Sequence, residues 1–343
     1  MTKRPALTLK KVAEIIGVSN ATVSNAFNRP DQLSKKKREE ILKSCIELGY
    51  HGPNQAARSL RKGTSDIVAL ILPDSLNYMV SDPVASQFMQ GVTDILEQNN
   101  INILLFSGRS PSINKIVDFV DGFICYGAPR NSELVAQLEK TTKKVVTIDF
   151  NIANRASINI DNEQAAAEIT NHITQSDDNI FAVLGLRLIP SEQVCRVYDN
   201  ELLDSQSSIS HRRLDGYTKA LTEQGITLTN ELIWNVPESN IKLAAIAARE
   251  ALTTEPRPNV LLCMSDMIAL STLREAQALG LRVPEDVKIV GFDGIDESQR
   301  SSPTLTTVHQ NSVLKGQRAA QLFLDGSIVE EILAYTVQQG NSC

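Results

Sequence analysis

Two groups of side chains in this sequence are equipped for recognition rather than for bond-making. The first lies in SNATVSNAFN (19–28), where Ser19, Asn20, Ala21, Thr22, Ser24, Asn25 and Asn28 are small or polar and uncharged. Basic residues flank it at Lys10, Lys11, Arg29 and Lys35-Lys36-Lys37-Arg38. An asparagine amide can pair with both hydrogen-bonding positions of adenine and an alanine methyl can touch the methyl of thymine, while hydroxyls and cations suit phosphates. The second group stands at the ends of β-branched runs. Asp149 closes KVVTI, Asp293 follows IVGF, Ser265-Asp266 follow NVLLC, and Arg213 opens a stretch carrying Gly216-Tyr217. In open parallel sheets ligands bind at the carboxyl ends of strands. Carboxylates and a guanidinium facing one cleft can hydrogen-bond a polyhydroxylated ligand. The plain alternative is that a strand-end aspartate caps the next helix, and Asp266, which heads MIALSTLREA, fits that role equally well.

Catalytic patterns do not appear. No G-x-G-x-x-G follows a strand, and there is no P-loop, H-E-x-x-H or G-x-S-x-G elbow. The four histidines (His51, His172, His211, His309) are scattered and none makes metal-ligand spacing with a cysteine. We therefore expect no catalytic residues, no cofactor and no metal.

The elements that would hold these groups can be read from spacing. Thr8 is placed to cap a helix whose apolar residues Leu9, Val12, Ala13 and Ile16 share a face; Gly17 stops it and Val18 plugs the core. Ser19 caps a second helix to about Phe27, with Val23 and Ala26 facing inward. A third runs from Ser34 to about Leu48, burying Ile41, Leu42, Cys45 and Ile46. The spacing Ala13–Gly17–Val23 is that of a helix-turn-helix, with a small residue where helices touch and glycine at the corner. An αα-hairpin without a nucleic-acid role can share this packing; the polar outer face with basic flanks favours DNA. From residue 66, strands at 67–72, 101–106, 122–126, 144–148, 179–184, 232–236, 259–263 and 287–292 alternate with helical stretches. Such alternation means parallel sheets with crossover helices, and this many strands suit two sheets. Breaks in phase near 161–165, 291–295 and 325 predict two lobes joined by several crossings around a cleft.

Net charge −6 conceals an asymmetry: residues 1–62 hold 13 Lys/Arg against 5 Asp/Glu, leaving 21 against 35 in residues 63–343. A basic head on an acidic body suits a head that meets a polyanion. Five single cysteines without a C-x-x-C pair argue for a reducing cytoplasm. The charged N-terminus lacks a signal-peptide core, and no apolar run is long enough to span a bilayer.

The runs TLKKVAEIIGVSNATVSNAFN and LSKKKREEILKSCIELGYHGPNQAARSLRKG closely resemble the headpiece of the LacI/GalR repressors. Lys11 stands where that family usually has an acidic residue, and Asn25 where a basic base-reader is often found; the second bears on which operator is read. The marks HRRLDGY, SDMIAL, LGLRVPEDVKIVGFDG and SPTLTTVHQ extend the resemblance to the periplasmic-sugar-binding-protein-like effector domain of the same family, weakest at Leu188–Ser210 and Asn77–Pro83. Leu188–Ser210 looks like an inserted polar loop.

The resemblance implies a helix-turn-helix DNA-binding domain over 1–52, a hinge helix and linker over 53–65, and an effector-binding and dimerisation domain over 66–343. This gives an N-terminal all-α headpiece followed by an α/β domain of two doubly wound parallel-sheet lobes. It makes Ser19–Asn28 the major-groove helix, with Asn20, Ala21 and Asn25 reading bases. Thr8, Ser19, Thr22, Ser24, Asn28 and Ser34 then contact phosphate or cap helices. Asn54, Ala57 and Leu60 belong to the hinge, with Leu60 the wedge that opens a base step in the minor groove. Asp149, Arg213, Asp266 and Asp293 fall at the effector cleft, with Tyr78, Asp82 and Phe150 on its walls. The expected partners are operator DNA, a sugar or related metabolite, and a second copy of the chain, since one headpiece reads only a half-site. A solute-binding module without DNA function, or an enzyme on a doubly wound fold, would have to explain the intact headpiece or supply a catalytic constellation.

Overall fold

In the computed structural model the described residues are 7–52, 63–173, 179–198 and 208–343. They form two compact units, Met1–Asp66 and Ile67–Cys343.

The first unit is three helices, α1 (Leu9–Ile16), α2 (Asn20–Asn28) and α3 (Lys35–Glu47). Each begins at a hydroxyl cap: Thr8, Ser19 and Ser34 accept the amides of Lys11, Thr22 and Lys37. These contacts satisfy amides that helix geometry leaves without partners. Gly17 ends α1 at φ 77°, left-handed backbone that favours glycine. Val12, Ala13, Val23, Ala26, Ile41, Cys45 and Tyr50 make the core. Ile46, expected inside, is 67% exposed. Ile41 and Cys45 are one helical turn apart and take the inward seats, whereas Ile46 is rotated about 100° from Cys45 onto the outer face.

The second unit contains two sheets. Lobe 1 is built on β1 (Ile67–Leu72), β2 (Asn102–Ser107), β3 (Gly122–Tyr126), β4 (Lys144–Ile148), β5 (Ala156–Asn159) and β12 (Glu330–Ile332), in the spatial order β12-β5-β4-β3-β1-β2. Lobe 2 is built on β6 (Phe181–Leu186), β7 (Cys195–Arg196), β8 (Ile233–Val236), β9 (Val260–Cys263), β10 (Lys288–Asp293), β11 (Thr306–His309) and β13 (Thr336–Gln338), in the order β13-β11-β10-β9-β6-β8-β7. Lobe 1 is wholly parallel, and only the two edge strands of lobe 2 run antiparallel. The helices used below are α4 (Leu76–Met79), α5 (Pro83–Gln98), α6 (Ser132–Lys140), α7 (Asn162–Asn171), α8 (Ile209–Glu223), α9 (Ile241–Thr253), α10 (Asp266–Ala278), α11 (Asp296–Arg300) and α12 (Ser312–Asp325). Strand interiors such as IVALIL are buried almost throughout, because helices cover both faces of a parallel sheet.

The chain passes between lobes at 160–161, at 310–311 and at 333–335. The first crossing falls beside the expected one; the other two differ. No crossing occurs at 291–295, because β10 pairs in parallel with β11 (Val290 beside Thr306, Asp293 beside His309) and holds the chain in lobe 2. None occurs at 325 either: α12 stops at Gly326 and the chain adds β12 beside β5 before leaving lobe 1. The stretch 188–198 is not simply a polar loop. Leu188 and Val197 are fully buried and Cys195–Arg196 forms the edge strand beside β8.

Glycines let the helices approach closely. A Cβ on Gly91 of α5 would lie 1.9 Å from the Val313 carbonyl oxygen of α12, and one on Gly316 would lie 2.2 Å from that of Phe88. Gly91→Ala is therefore expected to force α5 and α12 apart, lowering stability by roughly 1–3 kcal/mol or more. Urea denaturation would test this, and an unchanged midpoint would show that the two helices part freely.

Candidate functional site

The first unit presents α2 on its surface. Asn20, Ala21 and Asn28 are exposed, and Thr22, Ser24 and Asn25 half-buried, while Val23 and Ala26 anchor the helix from below. Ser19 and Thr22 hydroxyls lie 2.8 Å apart, and the Asn28 amide donates to Ser24 Oγ at 3.3 Å. A capping hydroxyl that accepts an amide keeps its own proton, so Thr8, Ser19 and Ser34 can cap and still donate to an anion. One positioning residue escaped the sequence reading. Arg38, within what reads as a solvated basic run, turns inward and donates from Nε to the Ala26 carbonyl at 2.9 Å. It ties the end of α2 to α3. Phe27 packs edge-on against Tyr50, with ring centroids 5.9 Å apart. Asn54, Ala57 and Leu60 lie outside the described residues.

The second unit gathers a polar array at the carboxyl ends of its strands, between the lobes. Asp149 follows β4, Asp293 ends β10 and Arg187 follows β6. All three have left-handed backbone, at φ 64°, 133° and 52°. Such conformations cost non-glycine residues roughly 1–3 kcal/mol each and persist where surrounding contacts enforce them. Here those contacts are dense. The Lys315 ammonium, 1% exposed, donates to both Asp149 oxygens at 2.9 and 3.0 Å and to Gln310 Oε1 at 2.7 Å. Gln310 Nε2 donates to Asp293 Oδ1 at 2.8 Å. Arg213 lies 3.5 Å from the same oxygen, donates to Asn162 Oδ1 at 3.0 Å and to the Met264 carbonyl, and stacks 3.6 Å from the Phe292 ring centre. A hydrogen-bonded chain thus runs from lobe 1 to lobe 2 through the crossing at Gln310.

Burial sets the charges. It pushes the Asp293 carboxyl well above its usual range, against the pull of Arg213. It pushes Asp266 up to about 6, against hydrogen bonds from Thr307, Ile295 and Gly294 and the charge of Arg213. Burial lowers Lys315, and the adjacent Asp149 carboxylate opposes this. Burial also raises the Tyr126 phenol, helped by the charges of Asp82, Asp149 and Asp293. Tyr126, stacked on Phe88 with centroids 4.7 Å apart, is a further member of the array.

The sequence-predicted residues separate by what they hold. Asp149, Arg213 and Asp293 share the array. Asp266 accepts the Gly294 and Ile295 amides at 2.8 and 2.9 Å and the Thr307 hydroxyl, so it braces the turn that carries Asp293, while Ser265 caps α10. Asp82 caps α5 through the Ala85 amide at 2.9 Å. Tyr78 accepts the Ser239 amide from lobe 2 at 2.9 Å. Phe150 packs on the lobe 1 core face formed by Ala69, Ile71 and Phe123. Sequence reading missed Lys315, Gln310 and Tyr126; Lys315 sits inside an amphipathic helix pattern, where a lysine reads as solvent-facing.

A capped helix-turn-helix with an uncharged polar outer face, joined to a two-lobed parallel-sheet domain with a buried polar array between its lobes, defines a ligand-responsive DNA-binding regulator. Residues 8–54 match the bacterial regulatory proteins of the lacI family, and residues 200–332 match the periplasmic binding protein-like domain. The HTH-type transcriptional regulator Rv3575c of Mycobacterium tuberculosis is 32% identical over 99% of this chain and 98% of its own length. The chain belongs to the lacI family and is a transcriptional regulator with a DNA-binding headpiece and an effector-binding domain. A solved structure of a transcriptional regulator CelR–cellobiose complex is 25% identical, with a TM-score of 0.69, over 98% of this chain and 100% of that one. The lac repressor dimer bound to operator and the anti-inducer ONPF shares the fold, with a TM-score of 0.72 at 22% identity over 98% of both chains. Among the described residues no helix is long and apolar enough to cross a membrane.

Proposed function

We propose that this chain is a cytoplasmic, homodimeric repressor that releases or takes up its operator in response to a sugar or related metabolite held between the lobes, with no catalytic step. The observation that carries this reading is the buried array of Asp149, Arg213, Asp293, Gln310 and Lys315, which joins both lobes through the crossing segment at 310–311. A ligand that hydrogen-bonds to the array in one lobe arrangement better than in another shifts the population of that arrangement. In this reading 1–52 is the DNA-binding domain, 53–65 the hinge and 66–343 the effector and dimerisation domain. Asn20, Ala21 and Asn25 read base edges, and Thr8, Ser19, Thr22, Ser24, Asn28 and Ser34 touch phosphate. Asn54, Ala57 and Leu60 enter the minor groove. Asp266 and Asp82 support the cleft through the turn and helix they hold, and Tyr78 and Phe150 stand on its rim. The CelR–cellobiose complex supports a saccharide as the first ligand to try.

The test pairs operator selection from random duplexes with a thermal-shift screen of the full chain against cellobiose and other mono- and disaccharides. A ligand at about 100 times its Kd should stabilise by roughly 2.7 kcal/mol. A chain that selects no sequence would sink the repressor reading, and one that no saccharide stabilises would sink the sugar. Asn25→Ala should relax base preference at one symmetric position per half-site, costing about 1–3 kcal/mol there. Binding to mutated operators would show it, and unchanged preference would remove Asn25 from the reading face.

A further inference from the structure

Beside the ligand-facing array stands a second cluster of charges that the family resemblance does not call for. Asp74, just past β1 in lobe 1, is fully buried and is approached by three guanidiniums. Arg109 and Arg130 come from lobe 1; Arg130 Nε is 3.0 Å from Asp74 Oδ2, and Arg109 pairs with Oδ1. Arg187 comes from lobe 2, and its Nη2 reaches Oδ2 at 2.8 Å. The same edge carries other bonds between lobes. Arg130 Nη1 meets Glu192 of lobe 2 at 2.8 Å, and Tyr78 Oη accepts the Ser239 amide. Arg187 is anchored in its own lobe, where its amide donates to the Val236 carbonyl at 2.8 Å and its Nε to that of Pro237 at 3.2 Å.

The arrangement is asymmetric in a useful way. Asp74 keeps Arg109, Arg130 and the Ser75 amide whichever way lobe 2 moves, so its charge is compensated within lobe 1. Burial alone would raise its carboxyl; the Ser75 amide and the arginines outweigh that and hold it below its usual range. Arg187 is 25% exposed in its side chain and belongs to the other lobe, so on opening it exchanges Asp74 for water. A bond whose two ends both remain solvated or paired after it breaks can open and close without unfolding either lobe.

We propose that Asp74 and Arg187, seconded by Arg130–Glu192 and Tyr78–Ser239, form a latch that holds the two lobes closed and so sets how readily the cleft admits its ligand. This rests on the proposed ligand cleft for its purpose but not for its test, which needs no ligand.

The test is hydrogen exchange of the full chain, following the backbone amides of 238–240, where the Ser239 amide bonds across the lobes, against those of β1 and β9 in the lobe interiors. Arg187→Met should speed exchange at 238–240 by about tenfold or more, the size expected for one charge-assisted hydrogen bond, and leave β1 and β9 unchanged. Arg187→Lys should recover part of the protection, because it keeps the charge. Tyr78→Phe removes the acceptor of the Ser239 amide, so it should speed exchange at that one amide whether or not Arg187 is present, and it marks the fully released rate there. Unchanged exchange in Arg187→Met would overturn the proposal. So would a uniform rise across β1, β9 and 238–240, which would make Arg187 a general stabiliser instead of a latch. Loss of saccharide response with this exchange pattern intact would count against the ligand reading and leave the latch standing.

Discussion

A chain reduced to residues 67–343 is expected to lose specific DNA binding completely while keeping its fold and its ligand response. The second unit has its own cores on both faces of both sheets, and the first unit's core of Val12, Ala13, Val23, Ala26, Ile41 and Cys45 is separate from them. Specific affinities exceed non-specific ones by roughly 10³–10⁷, and that margin should vanish. What remains should be repulsive, since residues 67–343 carry 21 Lys/Arg against 34 Asp/Glu. Fluorescence anisotropy on the selected operator, measured across a salt series, reads both effects. Full-length protein should weaken steeply with salt, as phosphate contacts demand. Operator retention by the truncated chain would place the DNA-binding surface on the wrong unit.

The second large effect is expected from Arg213→Ala. Its guanidinium is buried among Asp293, Asn162, the Met264 carbonyl and the Phe292 ring, and it is the cation set directly against Asp293. Removing one partner of a buried pair costs about 3–5 kcal/mol, because the other charge is left in low dielectric. Ligand response should disappear with it. The loss should also depend on pH, with a definite sign. Without Arg213, the Asp293 carboxyl rises further, so the folded variant binds a proton that the unfolded chain releases near the ordinary carboxylate range. The variant's deficit should therefore be smallest in mild acid and grow as pH rises above the ordinary carboxylate range. Urea denaturation of both proteins at pH 5 and pH 8 tests this; a deficit that is small, or that shrinks toward pH 8, would mean that Asp293 is not held by Arg213.

The headpiece was legible because its determinants are local. Thr8, Ser19 and Ser34 cap the helices they precede, Gly17 turns the corner, and Val12, Ala13, Val23 and Ala26 fall inward at helical spacing, all decided within a few residues. The exception, Ile46, is instructive: an apolar residue next to Cys45 reads as core, but three short helices have too few inward seats and leave it outside. In the effector unit the strands with long apolar runs were equally plain, since a sheet covered on both faces needs continuous burial. The short ones, β5, β7, β11, β12 and β13, were not: two to four residues with threonine, serine or charge carry no periodic signal. Their pairing decides where the chain changes lobe, and only the ladder of β10 against β11 moves the second crossing to 310–311.

The site divides in the same way. The sequence by itself determined that Asp149, Arg213 and Asp293 stand at strand ends or helix starts, that helix two shows an uncharged polar face, and that the head is basic and the body acidic. Those properties follow from residue type and nearest neighbours. Only the tertiary structure decided that Lys315, 166 residues from Asp149, is buried against it, that Arg38 turns inward to Ala26, and that Asp74 of one lobe meets Arg187 of the other, 113 residues away. A charged residue in an amphipathic pattern reads as solvated, because local sequence records the helix face but not what the rest of the chain places opposite it. Pairing across such separations depends on strand order and lobe crossings, which have no local signature, and there desolvation turns a surface charge into a buried contact.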